Sequence, residues 1–290
     1  MQFSQLYENA VSKLSQAGID SAPVDAFLLF EFCFGLTRSQ LFLHGANEVP
    51  ARELVKFNSV LDRRLSREPL HYITGMREFW SLDFVVSPAV LIPRPETEFV
   101  IDTVLATMKK QGYHQGFILD MCTGSSVIAV VLSLELEADN VVAVDISTDA
   151  LVIAKQNICK FGLAEKITLI CSDLFTALHK NKQYEVIVAN PPYISEDDII
   201  GLQPEVRDWE PRSALTGGLD GLDLIERIAD QVYRYLVPGG WLFVEIGSDQ
   251  REKVDELFSC HGSKEYDNVA ILSDWSGHPR LLQARKRRKE

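Results

Sequence analysis

Five short runs in the later part of the chain are almost wholly apolar: GFILDM (116–121), NVVAVDIS (140–147), KITLICSD (166–173), YEVIVAN (184–190) and GGWLFVEIG (239–247). A strand with one face in water alternates apolar and polar residues, and a strand buried on both faces does not. Runs of this kind predict parallel strands covered by helices on either side. The intervening segments agree, with helices predicted over Val127 to Leu136, residues 148–161 and Leu222 to Leu236. Such alternation means an α/β fold built on a doubly wound sheet, beginning near residue 97.

The first 67 or so residues have another period. Val24, Phe27, Leu28, Phe30 and Glu31 open an apolar-rich segment that runs to Gly35, a natural C-cap. Thr37 starts a further helical turn, TRSQLFLHG. Leu54, Phe57, Val60, Leu61 and Leu65 recur at helical spacing, with Arg63, Arg64 and Arg67 off that stripe. A small helical domain over 1–68 that binds or positions something is the expectation. Between the two regions, Leu82, Phe84 and Val86 alternate with other residues and predict a short β-hairpin. Pro93 and Pro95 then hold off a regular helix until Glu96, making 69–96 a hairpin and linker and 97–290 the sheet domain.

Composition narrows the partners. The formal net charge is −12, the reverse of what wrapping nucleic acid requires, so no stable nucleic-acid binding is expected. The closing run Arg285-Lys286-Arg287-Arg288-Lys289 reads as a solvated tail. The 5 cysteines are odd in number, none in a C-x-x-C or other metal-ligand spacing, which suggests free thiols, no metal and a reducing, cytoplasmic setting. MQFSQLYENAVSKL has no signal-peptide layout and no stretch is apolar enough to cross a bilayer, so no membrane association is expected.

In a doubly wound sheet ligands lie beyond the carboxyl ends of the strands. After the first strand comes Asp120-Met121-Cys122-Thr123-Gly124-Ser125-Ser126, a turn of small residues that lets backbone approach a ligand. Only one of the three G-x-G-x-G positions is glycine, since Cys122 and Ser126 hold the others, and this counts against a dinucleotide. After the second strand Asp145, 21 positions beyond Gly124, can accept from both hydroxyls of a ribose. After the third, Asp173 can accept from an adenine amino group, and Leu174 can pack on the ring. Helix capping is the alternative for either aspartate.

The fourth strand stops at Asn190, followed by Pro191, Pro192 and Tyr193. The asparagine oxygen and the Pro191 carbonyl are two acceptors held rigidly side by side, a match for an NH2 group with two protons to give. Tyr193 offers a face on which a flat amide or base can stack. An amide nitrogen is a poor nucleophile, and acceptors on both its N–H bonds favour pyramidalisation and aim its lone pair. The alternative is a plain turn.

NPPY after this strand is similar to the amino-methylating branch of the S-adenosylmethionine-dependent methyltransferases. The chain also resembles, almost end to end, the protein-(glutamine-N5) methyltransferases of peptide chain release factors, the HemK/PrmC family. The stretches that carry the resemblance include EPLHYITG (68–75), EFWSLDFVVSPAVLIPRPETE (78–98), ILDMCTGSSVIA (118–129), NPPYI (190–194), PEVRDWEPRSAL (204–215), GGLDGLDLI (217–225) and SGHPRLLQAR (276–285). The resemblance implies a Rossmann-like methyltransferase sheet. It implies that Cys122, Thr123, Gly124, Ser125, Ser126, Asp145, Asp173, Leu174 and Asn190 line a site for S-adenosylmethionine, with S-adenosylhomocysteine as product. It implies that Asn190, Pro191, Pro192 and Tyr193 hold the glutamine of a Gly-Gly-Gln loop in a class 1 release factor, and that the helical domain helps dock that factor. Ser126 stands where relatives usually have glycine, and Leu174 where they often have an aromatic residue.

Rival readings are a glutamine methyltransferase of a ribosomal protein and an N6-adenine or N4-cytosine DNA methyltransferase, which uses the same acceptor logic on a flipped base. A binding protein that has lost its cofactor is another, which intact Asp145 and NPPY argue against. A nicotinamide oxidoreductase leaves NPPY without a purpose.

Overall fold

The computed structural model describes residues 1–112, 116–262 and 265–288. The chain forms two compact units, Met1–Met76 with Gln203–Trp209, and Arg77–Leu202 with Glu210–Glu290.

The first unit is helical: α1 (Phe3–Gln16), α2 (Ala22–Phe34), α3 (Arg38–His44), α4 (Ala51–Leu65) and α5 (Leu70–Thr74). Gly35 ends α2 in the left-handed conformation and Thr37 caps α3 by accepting from the Gln40 N–H, as expected. Leu6, Leu14, Leu29, Phe30, Phe57 and Leu61 form its core. Arg64, read from sequence as lying off the apolar stripe, is 5% exposed. Its Nε donates to Asp25 (2.6 Å) and its Nη2 to Glu205 (2.8 Å), while Arg67 donates to the other Glu205 oxygen (2.8 Å). These pairs tie the inserted segment Gln203–Trp209 into the unit, and breaking one would strand a buried charge.

In the second unit β1 (Met76–Phe79) and β2 (Leu82–Val85) form the hairpin. Trp80 and Ser81 between them both have positive φ (55° and 57°), as a type I′ turn requires. Helix α6 (Pro95–Gln111) starts on its proline, whose missing N–H is no loss in a first turn. Then follow β3 (Ile118–Met121), α7 (Val127–Glu135), β4 (Val141–Asp145), α8 (Thr148–Lys160), β5 (Ile167–Cys171) and β6 (Tyr184–Ala189). After the single turn α9 (Pro204–Arg207), which belongs to the first unit, come α10 (Asp223–Gln231), β7 (Leu236–Glu245), α11 (Arg251–Gly262), β8 (Tyr266–Ser273) and β9 (Pro279–Lys286).

The large sheet has the order β5-β4-β3-β6-β7-β9-β8. Strands β3 to β7 pair in parallel, and β9 runs antiparallel between β7 and β8. The period of 2 explains the apolar runs. Ile118, Val141, Ala143, Val186, Val188 and Phe243 enter one core with α6 and α7, while Leu119, Val142, Val144, Ile187, Leu242 and Val244 enter the core on the other face.

Three expectations fail at the carboxyl end. The helix expected up to Leu236 stops at Gln231, passes through a 3-10 turn at Val232–Arg234, and Leu236 already belongs to β7. Strands β8 and β9 were not foreseen, because edge and antiparallel strands mix charged with apolar residues and leave no continuous run. The basic run is not simply a solvated tail. Lys286 ends β9, is 9% exposed, and its Nζ donates to the carbonyls of Tyr233 and Leu236, while Arg285 donates to the Gly239 carbonyl. Strand pairing fixes this backbone, and the long side chains reach back to the orphaned carbonyls near the start of β7. The last residue of the run, Lys289, lies outside the described residues.

Candidate active site

Sheet order reverses between β3 and β6, the neighbours from which the chain winds outward in opposite directions. A crevice opens at such a switch point. A cavity of about 280 Å³ lies there, lined by Cys122, Thr123, Gly124, Ser125, Asp145, Ile146, Asp173, Leu174, Asn190, Pro192 and Arg227, among others. Two of the sequence-predicted residues on the acceptor side, Pro191 and Tyr193, do not line it, and Ser126 lies just beneath, fully buried.

Asp145 does not cap α8, since Ser147 does so by accepting from Ala150 N. Instead its two carboxylate oxygens accept from Gly124 N and Ser147 N, both at 2.9 Å, joining the turns after β3 and β4. A carboxylate has about four acceptor sites, more than these backbone N–H groups fill. Asp173 is no cap either. Arg227 of α10 donates to both of its oxygens at 2.8 Å, so the adenine-amino role foreseen for Asp173 falls to a carboxylate already held by a guanidinium.

Three residues without glycine's freedom adopt left-handed backbone at this rim: Cys122 (φ 58°), Ser126 (φ 64°) and Leu174 (φ 48°). Such conformations cost about 1 kcal/mol or more each and gather where function over-determines them. A left-handed backbone favours glycine, and at position 126 serine adopts it instead. Its hydroxyl lies 3.1 Å from Thr123 Oγ1. Thr123 in turn donates to Asp120 (2.5 Å), whose carboxyl group is fully buried and pushed up to about 7, chiefly by burial. Burial, with Asp145, Asp120 and Asp173 close by, also pushes the Cys122 thiol up, so Cys122 stays protonated and is no nucleophile.

The acceptor side is fixed by loops the sequence reading did not connect. Ile194 donates to Leu215 O, and Gly217 donates back to Ile194 O. A Cβ on Gly217 would sit 2.7 Å from Pro192 O, and one on Gly221 2.3 Å from Tyr193 O, at a φ of +78°. Only glycine permits this approach. Gln250, 4% exposed, donates from Nε2 to Tyr193 O and Gly221 O (3.0 Å each) and accepts from Gly247 N (2.8 Å).

Two further groups sit beneath NPPY. Glu245, the last residue of β7, is 1% exposed and accepts from Thr97 Oγ1 (2.8 Å) and the Tyr193 hydroxyl (3.3 Å). Asn190 Nδ2 donates to Thr97 Oγ1 (3.3 Å). Thr97 carries no role in the sequence reading beyond lying in the stretch 78–98, and neither Glu245, Gln250 nor Arg227 carries one. Glu245 left a signal, a lone polar residue closing an apolar strand, as Asn190 does. Among the described residues no donor reaches Asn190 Oδ1 or the Pro191 carbonyl. Both expected acceptors therefore remain available.

Sheet order, the small-residue turn after β3, the acid after β4 and NPPY after β6 together define a Rossmann-like, S-adenosylmethionine-dependent methyltransferase. Solved structures share that fold. A methyltransferase from Pyrococcus furiosus superposes with TM-score 0.54 at 15% identity over 79% of this chain and 100% of that one. A ribosomal protein L11 methylase from Lactobacillus delbrueckii subsp. bulgaricus gives 0.50 at 16% identity over 70% and 84%.

Sequence comparison is more specific. The family model of the PrmC N-terminal domain matches residues 5–75, and that of the methyltransferase small domain residues 97–201. Release factor glutamine methyltransferases are 38% identical in Koribacter versatilis and 39% in Moorella thermoacetica, each over 99% of both chains. That of Geobacter sulfurreducens is 40% identical over 86% of this chain and 85% of its own. This chain belongs to the release factor glutamine methyltransferase family.

Proposed function

We propose that the protein transfers the methyl group of S-adenosylmethionine to the side-chain amide nitrogen (N5) of the glutamine in the Gly-Gly-Gln motif of class 1 peptide chain release factors. S-adenosylhomocysteine is the second product, and the reaction takes place in the cytoplasm, where those factors work. The helical unit, with its match to the PrmC N-terminal domain, docks the factor.

The cavity fits the cofactor. Its size is near the lower end of small-molecule sites, and Val144, Ile146 and Leu174 give it apolar walls for a flat ring. Asp145 keeps lone pairs for ribose hydroxyls. The Gly124 N–H that a diphosphate would use is already bonded to Asp145. The lining cations Arg94 and Arg227 are paired with Glu210 and Asp173, which leaves Asp145 as the unpaired charge of the lining, one that suits a sulfonium and repels phosphates. When bound, S-adenosylmethionine supplies an electrophilic methyl group.

The chain's own residues prepare the nucleophile. Asn190 Oδ1 and the Pro191 carbonyl each take one N–H of the incoming amide, which draws electron density towards nitrogen and directs its lone pair into the cavity. Tyr193, held at its hydroxyl by Glu245, presents its ring beside the flat amide. No strong base is needed beforehand, because nitrogen becomes acidic on alkylation and releases its proton to water.

The observation that carries this reading is the pair of available acceptors at the switch point, in a chain of this family. Mass spectrometry of a release factor incubated with the protein and S-adenosylmethionine tests it. One added methyl group on the Gly-Gly-Gln peptide, absent with Asn190→Ala, is expected. Methylation elsewhere, or none while the cofactor binds, refutes the substrate.

A further inference from the structure

We propose that Glu245 and Thr97 are positioning residues that decide which end of the Asn190 side-chain amide faces the substrate. The inference rests on the reading of Asn190 as an acceptor for the substrate amide.

Topology brings the groups together. β6 and β7 are parallel neighbours with Val188 opposite Phe243, and both residues enter the core covered by α6 and α7. Two positions on, Asn190 and Glu245 point to that same face at the carboxyl end. The first turn of α6 lies over them and delivers Thr97, 2% exposed.

The chemistry allows one direction of bonding. An ionised carboxylate has no proton, so it accepts from both the Thr97 and the Tyr193 hydroxyls. The single Thr97 proton is thereby committed to Glu245, and its oxygen can only accept from Asn190. The Asn190 atom that faces Thr97 must be Nδ2, which leaves Oδ1 for the substrate. A free asparagine amide turns over easily, and in the opposite sense its NH2 would confront the NH2 of the glutamine, donor against donor. The buried charge thus sets the polarity of the acceptor two bonds away.

A neutral core would be simpler to fold, because burial pushes Glu245 up to about 7. Arg280 of β9 pulls it down, as do the bonds from Thr97 and Tyr193, while Glu96 on α6 pushes it up. Once protonated, Glu245 gains a donor of its own, the Thr97 proton is no longer committed, and Asn190 loses its fixed sense. Turnover will therefore fall as pH drops through about 7, a range in which the glutamine amide itself does not titrate.

The test compares kcat, cofactor affinity and thermal midpoint for Thr97→Val, Thr97→Ser and Glu245→Gln with a release factor as substrate. Thr97→Val is expected to lower kcat about 10- to 100-fold, the order for a misplaced reacting group, and Thr97→Ser to stay within about threefold of wild type. Cofactor affinity should hold in both, whereas the midpoint should drop in Thr97→Val, which takes a donor from the buried carboxylate, and hold in Thr97→Ser. Glu245→Gln should lower kcat comparably and flatten the acid limb of the pH profile. Wild-type kcat in Thr97→Val and Glu245→Gln, while Asn190→Ala is inactive, would overturn the relay and leave Asn190's role standing. Wild-type turnover by Asn190→Ala would remove the premise itself.

Discussion

The cavity has two sides made in different ways. The donor side is shaped by backbone: left-handed Cys122, Ser126 and Leu174, and N–H groups that converge on Asp145. Its ion pair of Asp173 with Arg227 has both side chains 44% exposed and contributes little to stability. The acceptor side is shaped by buried side chains, with Glu245, Thr97 and Gln250 under the NPPY segment and Gly217 and Gly221 against its carbonyls. A binding site for an abundant small molecule can be built from turns. A site that must aim a lone pair needs its polar atoms fixed in direction as well as place, and buried hydrogen bonds do that.

This contrast predicts separable defects. Asn190→Ala should have the largest effect, lowering turnover about 10²- to 10³-fold, as loss of one positioned polar group does, while cofactor affinity changes less than about threefold. Equal losses in both quantities would mean that the two sides are not distinct. Gly221→Ala comes next, since its Cβ would strike Tyr193 O at a φ where alanine is already strained. Urea denaturation should show a loss of about 2–4 kcal/mol, with turnover falling in the fraction that folds. A fully stable, fully active Gly221→Ala enzyme would show that the clamp is idle.

Asp145→Ala strikes the donor side. Calorimetric titration should show cofactor binding weakened by about 1.5–3 kcal/mol, the range for hydrogen bonds to a charged group, with kcat at saturation largely kept. The smallest effect belongs to Ser126→Gly. Glycine relieves the left-handed backbone by about 1 kcal/mol and gives back part of that in the lost hydroxyl contact, so the thermal midpoint should rise slightly. A marked drop would mean that the Ser126–Thr123–Asp120 bonds matter more than the backbone does.

Much of the donor side was legible in the sequence, because each ligand-facing turn directly follows a strand that announces itself by its apolar run. Cys122 to Ser125, Asp145, Asp173, Leu174 and Asn190 all line the cavity for that reason. The support of the acceptor side was not. Thr97, Glu245 and Gln250 lie 93, 55 and 60 positions from Asn190 and meet NPPY only through sheet order. The ion pair of Asp173 with Arg227 was hidden in the same way. Strands β8 and β9 escaped notice because Arg285 and Lys286 look like a tail until their pairing partners are known.

The most direct test crosses the two sides. Cofactor titration and single-turnover methylation of a release factor would be measured on Asn190→Ala and Asp145→Ala in parallel. The account predicts near-normal cofactor binding with little methyl transfer in the first, and weakened binding with near-normal transfer at saturation in the second. Normal transfer by Asn190→Ala, or a transfer defect in Asp145→Ala that saturating cofactor does not repair, would contradict it.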